Sequence, residues 1–162
     1  MTRSVYIDTS VVSYLTARPT RDIRTAARQV ETIEWWTMES RHFALFSSDV
    51  AIEEASRGNA DAAQRRLEVL REMTILTLND DAVELALAFV AGRAVPAEAK
   101  VDADHIAIAA VNNIDYILTW NLSHIANTVT IPIISEICER EGYRSPIITI
   151  PNQLKGGLDI GR

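Results

Sequence analysis

Short β-prone runs alternate along this chain with helix-length segments, and that alternation leaves few folds open to it. The runs are Ser4–Ile7, His42–Ser47, Thr74–Leu78, Asp115–Thr119 and Ile147–Ile150. Strands separated by helices pair in parallel, because a parallel neighbour needs a crossover long enough to hold a helix, and helices then cover both faces of the sheet. The expected fold class is therefore α/β, a three-layer sandwich with a central parallel sheet of four or five strands flanked by helices. The helix ends carry their own signals. Asp22, Ser48-Asp49 and Asn79-Asp80 stand where N-caps belong, and Gly58, Gly92 and Gly142 stand where helices stop. After Asp22, the residues Ile23, Ala26, Ala27, Val30 and Ile33 follow the spacing of one apolar helix face.

The chain has 162 residues, the size of one domain. Residues 1–155 are expected to form it, with 156–162, rich in glycine, as a loosely held tail. Apolar residues make up 48%, which excludes a disordered chain, yet no apolar run reaches the roughly 18 residues of a membrane span. The opening residues lack the uncharged core of a signal peptide, so a cytoplasmic protein with no membrane partner is expected. A single cysteine, Cys138, excludes an intrachain disulfide and a cysteine-based zinc site. The net charge of −6 argues against sequence-blind binding to nucleic acid, although arginines gather locally at Arg18, Arg21, Arg24 and Arg28 and again at Arg57, Arg65, Arg66 and Arg71. Such runs most often form solvated helix faces; they also suit phosphate.

Two positions end strands with an acid or amide, Asp8 and Asn121, and two acids lie near helix starts, Glu54 and Asp102. In an open parallel sheet, ligands bind beyond the carboxyl ends of the strands where the winding direction reverses. If the first and fourth strands are neighbours, the four side chains converge. Carboxylates gathered in that way repel, and a hard divalent cation such as Mg²⁺ or Mn²⁺ relieves the repulsion. Each acid has a plainer reading as well. Asp8 and Asp102 could cap the helices that follow them, and Glu54 could be a solvated helical acid. Spacing alone leaves these alternatives open.

Four blocks in order resemble those of the PIN-domain family. Tyr6-Ile7-Asp8-Thr9-Ser10 is similar to the family's opening, and Ser47 to Gly58 to its second block, where a glycine four positions on selects Glu54 over Glu53. Asp102-Ala103-Asp104-His105-Ile106-Ala107 resembles the third block, and Asp115 to Asn127 the fourth, in a subgroup with asparagine at position 121 where aspartate is commoner. Ile150-Pro151-Asn152-Gln153-Leu154 resembles the family's ending. The resemblance implies a PIN-like sandwich and a metal-dependent endoribonuclease. Asp8, Glu54 and Asp102 would hold Mg²⁺ or Mn²⁺, and Asn121 would complete the catalytic set. It further implies a VapC-type toxin of a bacterial toxin–antitoxin pair, with RNA as substrate, a small antitoxin as partner and a homodimer as assembly. Asp104, Thr119, Ser10 and His124 are secondary candidates; Asp104 points about 200° away from Asp102 around the helix. His105, in an apolar helical run, reads as a packing residue. Two other functions stay open: a catalytically weak PIN-fold module that binds RNA or assembles, and a metal-dependent small-molecule phosphatase.

Overall fold

In the computed structural model, which describes residues 2–156, β1 (Arg3–Ile7) is the middle strand of a five-stranded, all-parallel sheet. The chain leaves β1 through α1 (Thr9–Thr16) and α2 (Ile23–Met38) to β2 (Phe43–Ser48), then through α3 (Asp49–Ala55) and α4 (Ala60–Leu70) to β3 (Thr74–Leu76). It then crosses back through α5 (Asp80–Ala91) and α6 (Lys100–Val111) to β4 (Tyr116–Leu118), and through α7 (Ile131–Arg140) to β5 (Ile147–Thr149). The strand order is β3-β2-β1-β4-β5, so the winding reverses between β1 and β4. Tyr6 pairs with Ile117 and Ile7 with Leu118, which brings the ends of the two strands side by side. The third run is shorter than expected, since strand pairing ends at Leu76.

Side chains alternate across β1 and divide the core in two. Tyr6 and Ile117 face α5, α6 and α7, whereas Val5, Ile7 and Leu118 face α1 to α4. α6 is the central helix: every residue from Ala103 to Ala110 is buried, and its alanines admit close neighbours. A helix enclosed on all sides has no polar face, so its polar residues must find partners inside. At Gly92 an added Cβ would lie 2.6 Å from Ile137 Cδ1, which is why glycine ends α5 where α7 packs against it.

The apolar stripe of α2 faces the opposite way from the usual rule. Ile23, Val30 and Ile33 are exposed, while Gln29, Thr32 and Trp35 are buried. The indole of Trp35 decides the rotation. It stacks on Phe43 at 5.8 Å, and its Nε1 donates to the Leu154 carbonyl at 2.9 Å. Burying a tryptophan contributes on the order of 3–5 kcal/mol, more than an isoleucine offers. The inward polar groups are satisfied: Gln29 donates to the Arg18 carbonyl, and Thr32 accepts from Trp120 Nε1. Trp36 is half-buried. Of the expected tail, residues 157–162 lie outside the described residues; Gly156 N donates to Glu39 Oε1 at 2.8 Å. No helix among the described residues is long and apolar enough to cross a membrane.

Candidate active site

Asp8 leaves the end of β1 as the N-cap of α1 and is buried. Its Oδ2 accepts from Ser10 Oγ at 2.6 Å, from Thr119 Oγ1 at 2.9 Å and from Ser10 N at 3.3 Å. Thr119 follows β4, so the reversal of winding supplies a hydroxyl from one strand end to the carboxylate of the other. Asp8 therefore caps α1, as its plain reading expects, and the same carboxylate meets Thr119 at the neighbouring strand end.

Glu54 projects from α3 beside Asp8, with 30% of its side chain exposed. Its Oε1 accepts from Thr9 Oγ1 at 2.7 Å and from His105 Nε2 at 2.6 Å. His105, on α6, is 1% exposed and also lies 3.6 Å from Asp8 Oδ1 through the same nitrogen. Its other ring nitrogen, Nδ1, is 2.6 Å from Tyr6 Oη, which in turn is 2.6 Å from Ser48 Oγ. An ionised Glu54 only accepts, so Nε2 carries a proton; Nδ1 accepts from Tyr6 in the neutral ring and donates to it in the cation. Burial pulls the His105 pKa down, but the Glu54 hydrogen bond and the charges of Asp8, Glu54 and Asp102 outweigh it and hold the imidazole above its ordinary value. Burial likewise pushes Glu54 up, and the hydrogen bond and charge of His105 with the Thr9 hydroxyl bring it below the usual range. Burial raises the Tyr6 phenol well above its ordinary value, so it stays protonated.

Asp102 lies in the first turn of α6 and does not cap it. Its Oδ2 is 2.9 Å from His124 Nδ1, a pair at the solvent edge with 20% and 37% of the side chains exposed. Asn121 takes a local role: its Oδ1 accepts from His124 N at 3.0 Å, and its own N donates to Thr119 Oγ1 at 2.9 Å. This turn carries His124 to Asp102.

The oxygen donors of Asp8, Glu54, Asp102 and Asn121 have the chemistry that Mg²⁺ or Mn²⁺ takes. Their placement is looser than a cage. Among the described residues, no three His, Cys, Asp or Glu side chains are set to hold a metal ion. Imidazoles instead hold one oxygen of each carboxylate, Glu54 Oε1 and Asp102 Oδ2, and a cation here would compete with them or take the other oxygen.

No protein-family model matches the chain, and no curated protein sequence matches it. Solved structures do match. VapC20 from Mycobacterium tuberculosis, a sarcin–ricin loop cleaving toxin, aligns with TM-score 0.58 at 16% identity over 77% of this chain and 95% of its own. VapBC2 from Rickettsia felis, bound to a DNA fragment from its promoter, aligns with TM-score 0.54 at 10% identity over 90% and 97%. A toxin–antitoxin complex from Klebsiella pneumoniae aligns with TM-score 0.52 at 17% identity over 78% and 94%. The chain has the PIN-like fold of the VapC toxins.

Within the PIN-like fold, Asp8 and Glu54 meet through His105, and Asp102 stands close enough for its charge to act on the same ring. Ser10 and Thr119 support Asp8, and His124 holds Asp102. Asp104 is apart: it is buried, and it pairs with Lys100 Nζ at 3.1 Å one turn back. Glu53 is apart as well, exposed and paired with Arg57 at 2.9 Å. For His105 the sequence predicts packing alone. The residue is buried as predicted, yet it joins Glu54 to Tyr6, because an imidazole enclosed in α6 has to spend both ring nitrogens. Tyr6, Thr9 and Ser48 join the site without standing among the sequence candidates. The strand period that puts Tyr6 two residues before Asp8 is the available signal for the first; the others are visible only in three dimensions.

Proposed function

We propose that the chain is a metal-dependent endoribonuclease, hydrolysing RNA phosphodiester bonds as the toxin of a toxin–antitoxin pair. The observation that carries this reading is the meeting of Asp8 and Glu54 at one buried imidazole where β1 and β4 end in a PIN-like fold, with Asp102 at the first turn of the same helix. Asp8, Glu54 and Asp102 would hold Mg²⁺ or Mn²⁺, with Asn121 beside them. Bound there, the cation supplies an activated water and neutralises charge on the scissile phosphate. The chain's own residues hold the carboxylates in place: Ser10 and Thr119 fix Asp8, and Thr9 fixes Glu54. In its protonated form, His105 would offset part of the charge of Glu54 and Asp8.

An antitoxin and a second copy of the chain are the proposed partners. Two of the structural neighbours are toxin–antitoxin complexes, and exposed Ile23, Val30 and Ile33 on α2 offer apolar surface of the kind that protein partners cover.

Cleavage of single-stranded RNA with added Mn²⁺, with chelator, and by Asp8→Asn tests the reading. Metal-dependent cleavage that Asp8→Asn abolishes is expected; cleavage that survives excess chelator removes the metal from the mechanism. RNA binding without cleavage or Mn²⁺ uptake favours the catalytically weak module. Hydrolysis of simple phosphate esters with intact RNA favours the phosphatase.

A further inference from the structure

A second polar hollow lies between the end of α1 and the start of α4, with a volume of about 420 Å³. Ser13, Thr16, Arg18, Asp61, Arg65 and Arg66 line it. Three arginines against one aspartate make it locally cationic on a chain whose net charge is −6. The arginines differ in how they are held. Arg66 is spent on backbone, its Nε on the Ala55 carbonyl and its NH2 on that of Arg57. Arg65 donates only Nε, to the Thr16 carbonyl at 3.1 Å, which anchors the guanidinium and leaves its terminal fork without a partner among the described residues. Arg18 is exposed, and its guanidinium makes no hydrogen bond or ion pair among them. An anchored fork beside a free one is suited to gripping phosphate oxygens.

The hollow is also joined to the candidate site. Thr9, which donates to Glu54, Ser13 and Thr16 are spaced by four and three residues on α1 and so share one helix face. From Thr9 to Thr16 that face runs on the order of 10 Å. The Thr9 and Thr16 hydroxyls on it donate to Glu54 and to the Val12 carbonyl, and the arginines stand at its far end.

We propose that this hollow is a second phosphate-binding subsite, holding the RNA backbone away from the bond that is cut. The inference rests on the ribonuclease reading of the carboxylate site. Arg18 and Arg65 grip a phosphate there; Arg66 shapes the hollow and adds charge.

Binding of a short fluorescent oligouridylate to the Asp8→Asn protein, followed across a range of salt concentrations, tests the subsite. Arg18→Ala is the cleaner variant, because that side chain gives up no internal partner; Arg65→Gln is the second, with melting curves to verify its fold. Each is expected to weaken binding about five- to tenfold and to flatten the plot of log affinity against log salt by about 0.7 for each phosphate the variant no longer grips. Arg140→Ala, on α7, is expected to change neither. A dinucleotide, carrying a single phosphodiester, should bind the variants and the parent alike. If Arg18→Ala and Arg65→Gln bind the oligonucleotide with unchanged affinity and slope, the subsite is overturned while the ribonuclease reading stands. Equal weakening by Arg140→Ala also overturns it, because the contribution is then diffuse charge. If the parent binds no RNA at all, the ribonuclease reading falls and this inference with it.

Discussion

Two charges that burial opposes, those of Glu54 and His105, face each other across 2.6 Å. Each helps to stabilise the other, with a definite dependence on pH. His105 is held above its ordinary value of 6.5, so its contribution is fully present below that pH and is lost as pH rises through the folded value. Glu54 is held below its ordinary value of 4.5, so its contribution is present above that pH and is lost as pH falls through the folded value. The pair thus supports the fold most between pH 4.5 and 6.5. Glu54→Gln is expected to cost about 1–3 kcal/mol in that window and less outside it. Melting curves from pH 4 to 9 check this, and a loss that is flat with pH would argue that the pair is not ionised. Glu53→Gln, which disturbs only an exposed pair with Arg57, should leave stability and cleavage unchanged. At Asp8, asparagine can still cap α1 and accept from Thr119, so Asp8→Asn should stay within about 1 kcal/mol of the parent while abolishing cleavage. Asp8→Ala removes the α1 cap and the shared acceptor of the Ser10 and Thr119 hydroxyls, and should cost about 1–3 kcal/mol.

Among the elements, α2 shows how packing overrides pattern. α2 has a good apolar stripe and turns it outward, because Trp35 needs more burial than Ile33 does. Trp35→Ala is expected to cost about 3–5 kcal/mol, whereas Ile33→Glu should change the stability of the isolated chain by no more than about 0.5 kcal/mol. Chemical denaturation of the two variants measures the difference, and equal losses would place Ile33 in a core. The turn after β4 depends on Asn121, whose Oδ1 caps it at His124 N. Asn121→Asp keeps an acceptor there and adds a charge near Asp102. It should therefore preserve the fold while tightening Mn²⁺ binding by titration calorimetry. Unchanged metal affinity would remove position 121 from the metal's surroundings.

On the scale of the whole molecule, the candidate site lies where the sheet's winding reverses between β1 and β4. If that place binds a cation, folding and metal are linked: Mn²⁺ at about a hundred times its Kd should add about 2.7 kcal/mol, and Asp8→Asn should abolish the gain. Melting with and without Mn²⁺ reads this directly, independently of any RNA. What the sequence by itself determined is what local physics controls: the alternation of strands and helices, the caps at Asp22, Ser48 and Asn79, and Asp8 at a strand end. Each follows from residues a few positions apart. Tertiary structure alone decided how α2 is rotated, because rival faces are weighed by what the rest of the core presents to them. It alone turned His105 from a packing residue into the link between Glu54 and Tyr6, which lie 51 and 99 residues away along the chain. It also brought His124 to Asp102 from 22 residues away, whereas Asp104 found Lys100 one turn back on its own helix. A hydrogen bond between residues so far apart in sequence leaves no mark on the spacing around either one; only the fold brings the donor to its acceptor.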